Sequence, residues 1–342
     1  MVQILNQALA GLHLDAKCIA ARQHRHFAFY DVQLGNKCRI TKLRNAAGDI
    51  ALKIRSKSDP ICKPMRDLGV VRLQVVNGDP AILNFQSNYN SSDAKVKGGM
   101  IPFLLGETDE GEFLWNDMAA NPHLLVAGAT GSGKSVFLHN LIANATKLDG
   151  LRLMLVDPKG VEFEPYRHPV LNDLVCQITN DYTQTCDMLE ALVEEMETRY
   201  QALKLAKLSS IEQEPDIFDK FLVIIDEASD LMMMDGKTKK FENLIVKLAQ
   251  KSRAAGIYLV LSTQRPSTDV LTGLIKANFE ARLSCKVSSR VDSQVVLDQP
   301  GAELLVGKGD AILKNAANDF TRLQIAYADP KETVKCFINN QN

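Results

Sequence analysis

The chain has 342 residues, of which 46% are hydrophobic, and its 40 basic residues nearly balance its 41 acidic ones to give a net charge of −1. This length predicts one large domain and a smaller one, and the balanced charge excludes a globally basic nucleic-acid binder but not a local basic surface. No run approaches the ~18 uncharged apolar residues of a membrane helix, and the first 30 residues lack a signal-type core, so we expect a cytoplasmic protein.

The first predicted unit spans residues 1–95. Segments that alternate between polar and apolar residues, at 26–32 and 70–76, are typical of strands, and helical stretches lie between them. We therefore expect a small α+β domain. Residues 84–99 are polar and rich in turn-forming residues, which predicts a linker with a domain boundary near residue 95.

The second predicted unit spans residues 96–342 and alternates strands with helices. Apolar runs predict strands at 123–128, 151–156, 221–225, 257–262, 281–287, 310–314 and 321–328. Helical periodicity predicts helices at 134–147, 183–208 and 239–255. This alternation indicates an α/β fold with a mostly parallel sheet and right-handed crossovers.

A glycine-rich loop follows the strand predicted at 123–128. Its residues, Gly128-Ala129-Thr130-Gly131-Ser132-Gly133-Lys134-Ser135, match G-x-x-x-x-G-K-[ST] completely, between a strand and a helix as this phosphate-binding motif requires. Glycines at 128, 131 and 133 let backbone N–H groups point at phosphates, Lys134 adds a cation, and the Ser135 hydroxyl suits Mg²⁺. We expect a nucleoside triphosphate here. The alternative, a glycine-rich turn before an ordinary core helix, is disfavoured because all four fixed positions are present in context.

Two carboxylates end the strand predicted at 221–225. Open α/β sheets bind ligands at the carboxyl ends of their strands, so we expect Asp226 and Glu227 to lie beside the phosphate loop. Asp226 would hold magnesium through water, and Glu227 would act as general base on the attacking water. Adjacent carboxylates are also common at a helix N-terminus, and without the phosphate loop this simpler interpretation would be preferred. Because a kinase has no use for a water-activating acid, Glu227 favours hydrolysis.

Two further polar residues have two interpretations each. Gln264 ends the strand predicted at 257–262, where it either senses a γ-phosphate or caps the turn before Pro266. Arg253 lies at the end of the helix predicted at 239–255. It is either a cation favoured by the helix dipole or an arginine finger inserted into a neighbouring subunit's site. Sequence spacing does not choose between these alternatives.

Six segments carry a pattern that extends well beyond the phosphate loop: HLLVAGATGSGKS, LMLVDPKG, EEMETRY, VIIDEASDLMM, the block from KLAQKSRAAG to DQPGAE, and KGDAIL. Together they resemble the motor region of the FtsK/SpoIIIE double-stranded DNA translocases. The resemblance is dense from about 122 to 315 and thinner over 26–80. It implies a RecA-like P-loop ATPase domain at 96–342 behind the small domain at 1–95, with ATP and Mg²⁺ as cofactors. It also implies a homohexameric ring that threads duplex DNA.

The resemblance assigns roles to single residues. It implies Lys134 and Ser135 as ligands of the triphosphate and magnesium, Asp226 and Glu227 as the hydrolytic acids, Gln264 as sensor and Arg253 as the trans-acting finger. It places sequence-independent, salt-sensitive DNA contacts at Arg265, Lys276 and Arg290. The simpler interpretation of these three residues is that they are solvated surface cations.

The sequence also departs from the family pattern. Gln294 stands where a basic residue is expected, Pro300 replaces a glycine, and two extra residues fall in the turn at 234–240. A membrane-spanning amino-terminal region and a closing winged-helix domain are not visible, so the size suggests a mobile-element or phage homologue, or an excised piece. Two alternative functions stay open: a protein-secretion ATPase of the same superfamily, and a nucleotide-dependent assembly protein without translocation.

Overall fold

A computed structural model describes residues 2–24, 27–56, 58–76, 82–89 and 99–341, which form two β-sheets with helices packed around them. The boundary predicted near residue 95 lies outside these ranges, as does residue 26, where the first strand was predicted to begin. Within these ranges, no helix is both long enough and apolar enough to span a bilayer.

The amino-terminal sheet has four antiparallel strands in the order β1-β2-β4-β3. The strands are β1 (Ala16–Gln23), β2 (Phe27–Leu34), β3 (Ile61–Met65) and β4 (Val70–Val76). Its helices are α1 (Val2–Gly11), α2 (Ile40–Asn45) and α3 (Ala47–Ile54). Leu5 and Leu9 of α1 pack with Val32 and Leu73 in the core of this unit. The α+β architecture expected from the alternating segments is therefore present.

The second sheet has ten strands in the order β6-β5-β14-β13-β12-β7-β11-β10-β8-β9. The strands are β5 (Pro102–Thr108), β6 (Phe113–Asp117), β7 (Leu124–Ala127), β8 (Leu151–Val156), β9 (Val175–Thr179), β10 (Lys220–Ile225), β11 (Ile257–Thr263), β12 (Arg282–Cys285), β13 (Asp310–Lys314) and β14 (Phe320–Ile325). The six strands from β12 to β9 run parallel, and the four from β13 to β6 are antiparallel. The α/β prediction is confirmed, and the antiparallel extension was not predicted.

Helices cover both faces of this sheet. They are α4 (Phe85–Asn88), α5 (Lys134–Ala145), α6 (Tyr182–Leu205), α7 (Ala228–Asp235), α8 (Lys240–Lys251), α9 (Gly273–Asn278), α10 (Arg290–Leu297) and α11 (Pro330–Gln341). Alternate residues of β7 enter two different cores: Leu124 and Val126 pack on the side of α5, whereas Leu125 and Ala127 pack on the side of α6 and α8. Burial on both faces explains why the central strands are almost continuously apolar.

Several predicted elements end earlier than expected, and two of them lie near predicted sites. Helix α8 stops at Lys251 and continues as a 3-10 turn over Ser252–Ala255, because the Ser252 hydroxyl donates to the Ile257 carbonyl at 2.7 Å and tightens the turn into β11. Strand β14 stops at Ile325 rather than 328, because the chain leaves the sheet there and Tyr327 pairs with Asn84. Both changes affect residues near predicted sites.

The two sheets touch through polar and aromatic contacts. Arg72 of β4 donates to Asp31 of β2 at 2.7 Å and to Glu110, in the β5–β6 turn, at 3.3 Å. The Arg322 guanidinium of β14 stacks 4.9 Å from the ring centre of Phe27. These contacts connect the amino-terminal sheet to the antiparallel half of the large sheet.

Candidate nucleotide site

The phosphate loop turns from the carboxyl end of β7 into α5, as predicted. Gly133 has a left-handed φ of 114°, and a Cβ there would lie 2.4 Å from the Gly309 amide nitrogen. Gly128 was expected to need a special backbone angle as well, but it is not among the glycines with positive φ. Its requirement is space, because a Cβ would lie 2.4 Å from Ser132 Oγ.

Lys134 and Asp226 are brought together inside the protein. Lys134 Nζ forms an ion pair with Asp226 Oδ1, and Ser262 Oγ lies 3.2 Å from the amine and 3.0 Å from the same carboxylate oxygen. Both charged side chains are almost fully buried. A buried charge without a partner costs several kcal/mol, so Asp226 holds Lys134 in place beside the loop.

Glu227 follows β10 and is held beside the carboxyl end of the neighbouring strand β11. It is 2% exposed and has a left-handed φ of 56°. Its Oε1 accepts hydrogen bonds from Ser229 Oγ at 2.5 Å and from Thr263 Oγ1 at 2.9 Å, and its Oε2 accepts one from the Gln264 N–H at 3.1 Å. A strained backbone of this kind persists only where the surroundings determine it.

A cavity of about 650 Å³ opens beside the phosphate loop. Its polar wall includes Thr130, Lys134, Ser135, Glu162, Gln264 and Lys308, and its apolar wall includes Ile82, Leu83, Val136, Ile325 and Tyr327. This volume lies within the usual range of small-molecule sites. The lining thus combines charged groups that suit phosphates with apolar contacts.

Gln264 reaches this cavity. Its Oε1 accepts a hydrogen bond from Thr130 Oγ1 of the phosphate loop at 3.0 Å. The turn before Pro266 is closed by another residue, since Thr263 Oγ1 accepts the N–H of Arg265 at 3.0 Å. Gln264 therefore lies beside the phosphate loop, and its role as a sensor stays a prediction.

The oxygen donors in this region suit magnesium. The Ser135 hydroxyl and the Asp226 carboxylate flank Lys134, and over the described part of the chain no group of three or more His, Cys, Asp or Glu forms a ready-made metal cage. Mg²⁺ usually binds through one or two protein oxygens together with waters and phosphate oxygens. These residues therefore fit a metal ion that arrives with a triphosphate.

Several residues that line the cavity were not predicted as site residues, among them Glu162, Lys308 and Tyr327. Lys308 lies between Gly307 and Gly309, and all three have positive φ. The Gly309 N–H donates to the Ser132 carbonyl at 2.9 Å, which seats this turn on the phosphate loop. The signals in the sequence were the G-K-G run, which predicts a special turn, and the KGDAIL segment; neither predicts which loop the turn packs against.

Arg253 lies far from the phosphate loop of its own chain. It occupies the 3-10 turn that leads into the amino end of β11, whereas the phosphate loop follows the carboxyl end of β7. A seven-residue strand spans roughly 20 Å. The Arg253 side chain is 50% exposed, and its Nε lies 3.1 Å from Glu212 Oε1. The site within one chain is therefore built without Arg253.

Two of the three residues predicted to contact DNA are accessible. Arg265 follows Gln264 at the end of β11, and Arg290 begins α10; both are exposed.

The third residue, Lys276, is held within the chain. Its Nζ lies 2.7 Å from Asp298 Oδ1, and Asp298 Oδ2 accepts hydrogen bonds from Arg282 at 2.6 Å and Lys314 at 2.8 Å. Burial alone would raise the pKa of the Asp298 carboxyl, but these cations hold it well below its usual value. Lys276 thus has a structural partner that Arg265 and Arg290 do not share.

Comparison of the sequence with known proteins identifies a family that this chain matches. The model of the FtsK/SpoIIIE family matches residues 86–220 and 212–268. The DNA translocase FtsK of Chlamydia muridarum is 36% identical over 330 residues, which cover 91% of this chain and 41% of that protein. The DNA translocase FtsK of Corynebacterium glutamicum is 34% identical in an alignment that covers 97% of this chain and 38% of that protein. The chain thus spans about two fifths of the length of these relatives.

Solved structures share the fold. The conjugation coupling protein TcpA of pCW3, in a monomer form with ATPgS, superposes with a TM-score of 0.67 at 22% identity and covers 98% of this chain and 99% of its own. The cytoplasmic domain of the type VII secretion ATPase EccC from Thermomonospora curvata has a TM-score of 0.60 at 24% identity, over 76% of this chain and 33% of its own. The FtsK/SpoIIIE family model matches more than half of the residues of this chain. The chain therefore belongs to the FtsK/SpoIIIE family of P-loop ATPases.

Proposed function

We propose that this chain is the motor of an ATP-dependent double-stranded DNA translocase that works as a homohexameric ring. The observation that carries the proposal is the joint placement of Lys134, Asp226, Glu227 and Gln264 at the phosphate loop. If Glu227 served only to interact with the dipole of α7, its carboxylate would not need hydrogen bonds from three residues. It accepts such bonds from Ser229, Thr263 and the Gln264 N–H. The chain also belongs to a family whose curated relatives are named DNA translocases.

Hydrolysis follows from these positions. The triphosphate binds over the phosphate loop, and Lys134 exchanges part of its contact with Asp226 for phosphate oxygens. Ser135, and Asp226 through water, would hold Mg²⁺, which would supply positive charge to the triphosphate. Glu227 accepts a proton from the water that attacks the γ-phosphorus. Gln264 contacts both Thr130 and, through its N–H, Glu227, so it is placed to register loss of the γ-phosphate.

Movement along DNA is coupled to the carboxyl end of β11, which Gln264 and Arg265 follow. Arg265 is the next residue after Gln264, so a shift of Gln264 on phosphate release displaces an exposed cation. Arg290 supplies a second accessible charge at the start of α10. Basic side chains that contact phosphate oxygens do not read bases, so binding is independent of sequence and weakens steeply with salt.

A ring explains the place of Arg253. A head-to-tail assembly brings one edge of a subunit against a different surface of the next, and such contacts close into rings. In this arrangement Arg253 of one subunit reaches the phosphates held by its neighbour and stabilises the charge that develops in the transition state.

ATP hydrolysis by the purified chain, measured with and without linear duplex DNA, tests the proposal together with the mass of the assembly. We expect DNA to stimulate hydrolysis and the mass to correspond to six chains. Stimulation by a polypeptide instead of DNA would indicate a secretion ATPase, and a nucleotide-dependent change of mass without stimulation would indicate an assembly protein. A chain that stays monomeric with ATP and DNA, and hydrolyses ATP no faster with DNA, would overturn the proposal.

A further inference from the structure

We propose that Glu162, held by His139 and Tyr166, orients the Ser135 hydroxyl toward the magnesium ion of the bound nucleotide. Glu162 is a positioning residue in this account, because it acts through Ser135. The inference rests on the proposed function, since it assumes that a magnesium–triphosphate occupies the cavity.

The loop after β8 is folded so that Glu162 faces the cavity. The buried Asp157 carboxylate accepts the N–H groups of Lys159 at 3.0 Å, Val161 at 2.7 Å and Glu162 at 2.6 Å. These three bonds wrap the loop around one carboxylate. The Glu162 side chain, 27% exposed, lines the cavity beside the phosphate loop.

A directional chain of hydrogen bonds reaches Glu162 from the protein interior. Tyr166, 1% exposed, places its hydroxyl 3.0 Å from His139 Nδ1, and His139 Nε2 lies 2.7 Å from Glu162 Oε1. Burial raises the pKa of the Tyr166 phenol, so the hydroxyl keeps the proton that it can donate to Nδ1. The proton of a neutral ring then lies on Nε2 and is donated to Glu162.

The same carboxylate lies beside Ser135. Ser135 and Glu162 both line the cavity, and the pKa of the Glu162 carboxyl is lowered by His139 and, to a smaller extent, by the Ser135 hydroxyl. Ser135 and His139 are four residues apart on α5, so they stand one above the other on the same face of the helix, where His139 holds Glu162. A Ser135 hydroxyl whose hydrogen turns toward Glu162 presents its oxygen lone pairs to the cavity.

This arrangement is what a metal-ligating hydroxyl requires. A carboxylate behind the ligand fixes its orientation, and loss of such partners typically costs 10–100-fold in metal affinity. A purely structural ion pair between His139 and Glu162 would also hold the loop to α5. That simpler role does not need the carboxylate to line the same cavity as Ser135.

Glu162→Gln in the full chain tests the inference through the Mg²⁺ dependence of nucleotide binding. A fluorescent ATP analogue is titrated with Mg²⁺ and with EDTA. We expect the Mg²⁺ concentration needed for half-maximal tight binding to rise about 10–100-fold, while affinity in EDTA stays at the wild-type value. Tyr166→Phe, which releases the ring tautomer, should shift the same curve in the same direction by a smaller factor.

Glu164→Gln is the matched control. Glu164 lies two residues further along the same loop, is exposed, and pairs with Arg167 at 3.0 Å. It should leave the Mg²⁺ curve unchanged. Wild-type Mg²⁺ dependence in Glu162→Gln, or an equal loss of affinity with and without Mg²⁺, would overturn the inference alone. Absence of nucleotide binding by the wild-type chain would contradict the proposed function, and with it the inference.

Discussion

Glu227 illustrates how neighbouring residues prepare one side chain for chemistry. Its left-handed backbone is unfavourable for a residue with a Cβ, and it is stabilised by donors from Ser229, Thr263 and the Gln264 backbone. Under the proposed function, such preorganisation leaves little rearrangement for the step in which Glu227 takes a proton from the attacking water. The position of Glu227 is thus set by contacts at the carboxyl ends of β10 and β11.

Glu227→Gln should separate nucleotide binding from hydrolysis. The amide keeps the size of the side chain but cannot accept the proton of the attacking water, so we expect hydrolysis to fall by about 10²–10⁴-fold. Phosphate release at saturating ATP measures this loss, and binding of a fluorescent ATP analogue should be retained. The matched control is Glu242→Gln, a buried carboxylate of α8 outside the cavity, which should keep wild-type hydrolysis. Wild-type turnover in Glu227→Gln would contradict the assignment.

At the scale of elements, a buried histidine joins β7 to β11. His123 is 2% exposed, its Nδ1 accepts the Leu259 N–H at 3.2 Å, and its backbone has a φ of 60°. Burial, helped by the charge of Arg253, lowers the pKa of His123 to about 4 from 6.5. The folded state therefore requires a neutral ring, and the unfolded chain binds the proton more readily.

This difference predicts a pH dependence of stability. Because the folded pKa is depressed, the stability is complete above pH 6.5 and is lost as pH falls toward 4. The loss amounts to up to about 3 kcal/mol, at about 1.4 kcal/mol per pKa unit. His123→Asn removes the titration while keeping an acceptor and tolerating the left-handed backbone. Urea unfolding at several pH values should show a flatter curve for the variant, and parallel curves would contradict the prediction.

The apolar lining of the cavity comes from two segments that are far apart in the sequence. Tyr327, just after β14, donates its N–H to the Leu83 carbonyl at 2.6 Å, and the Phe85 N–H donates to the Tyr327 carbonyl at 2.8 Å. This pairing brings Ile82 and Leu83 next to Tyr327 and Ile325. An aromatic ring among aliphatic side chains is a suitable surface for a nucleobase.

Tyr327→Ala should therefore weaken binding of ATP but not of a phosphate chain. Base–aromatic stacking contributes about 1–3 kcal/mol, so we expect a loss of at least about 5-fold in ATP affinity. Competition by inorganic tripolyphosphate should be unchanged, because that ligand has no base. Tyr327→Phe keeps the ring and serves as control. An equal loss for both ligands would show that Tyr327 supports the phosphate loop instead.

The success of the sequence predictions varied with the type of element. Strands β8 and β13 have the predicted bounds, because buried strands give clear apolar runs. Strands β6 and β9 were missed because they lie at the edges of the sheet, where many of their side chains are only partly buried. Helices α7, α9 and α10 have six to eight residues, which is too short for periodicity to be evident.

The same reasoning explains what was predicted of the site. Lys134, Asp226 and Glu227 were predicted because each lies at the carboxyl end of a recognisable parallel strand or in its loop. Glu162 and Tyr327 were not predicted, because their position depends on a loop wrapped around Asp157 and on a pairing with Asn84. Contacts between residues so distant along the chain leave no local pattern.

At the scale of the whole molecule, the net charge is only −1, but the individual basic side chains differ in whether they are exposed or paired. Arg265 is exposed, whereas Lys276 is paired with Asp298. Arg265→Ala should therefore reduce the salt slope of DNA binding by about 1, and Lys276→Ala by less. Binding of linear duplex DNA measured across a range of salt concentrations tests this. A larger effect of Lys276→Ala would mean that its ion pair opens on DNA binding.

The ring itself is tested by mixing two inactive chains. Arg253 lies at the amino edge of β11, so in a ring it serves a neighbour, and its exposed pair with Glu212 contributes at most about 1 kcal/mol and is readily exchanged. Arg253→Ala and Lys134→Ala should each lose ATPase activity alone. In an equimolar mixture, a junction between an intact loop and an intact finger forms about one time in four if subunits assemble randomly, so about a quarter of wild-type activity should return. Glu212→Gln, which releases the finger without removing it, should remain active. No recovery in the mixture, or full activity of Arg253→Ala alone, would show that Arg253 does not act across the interface.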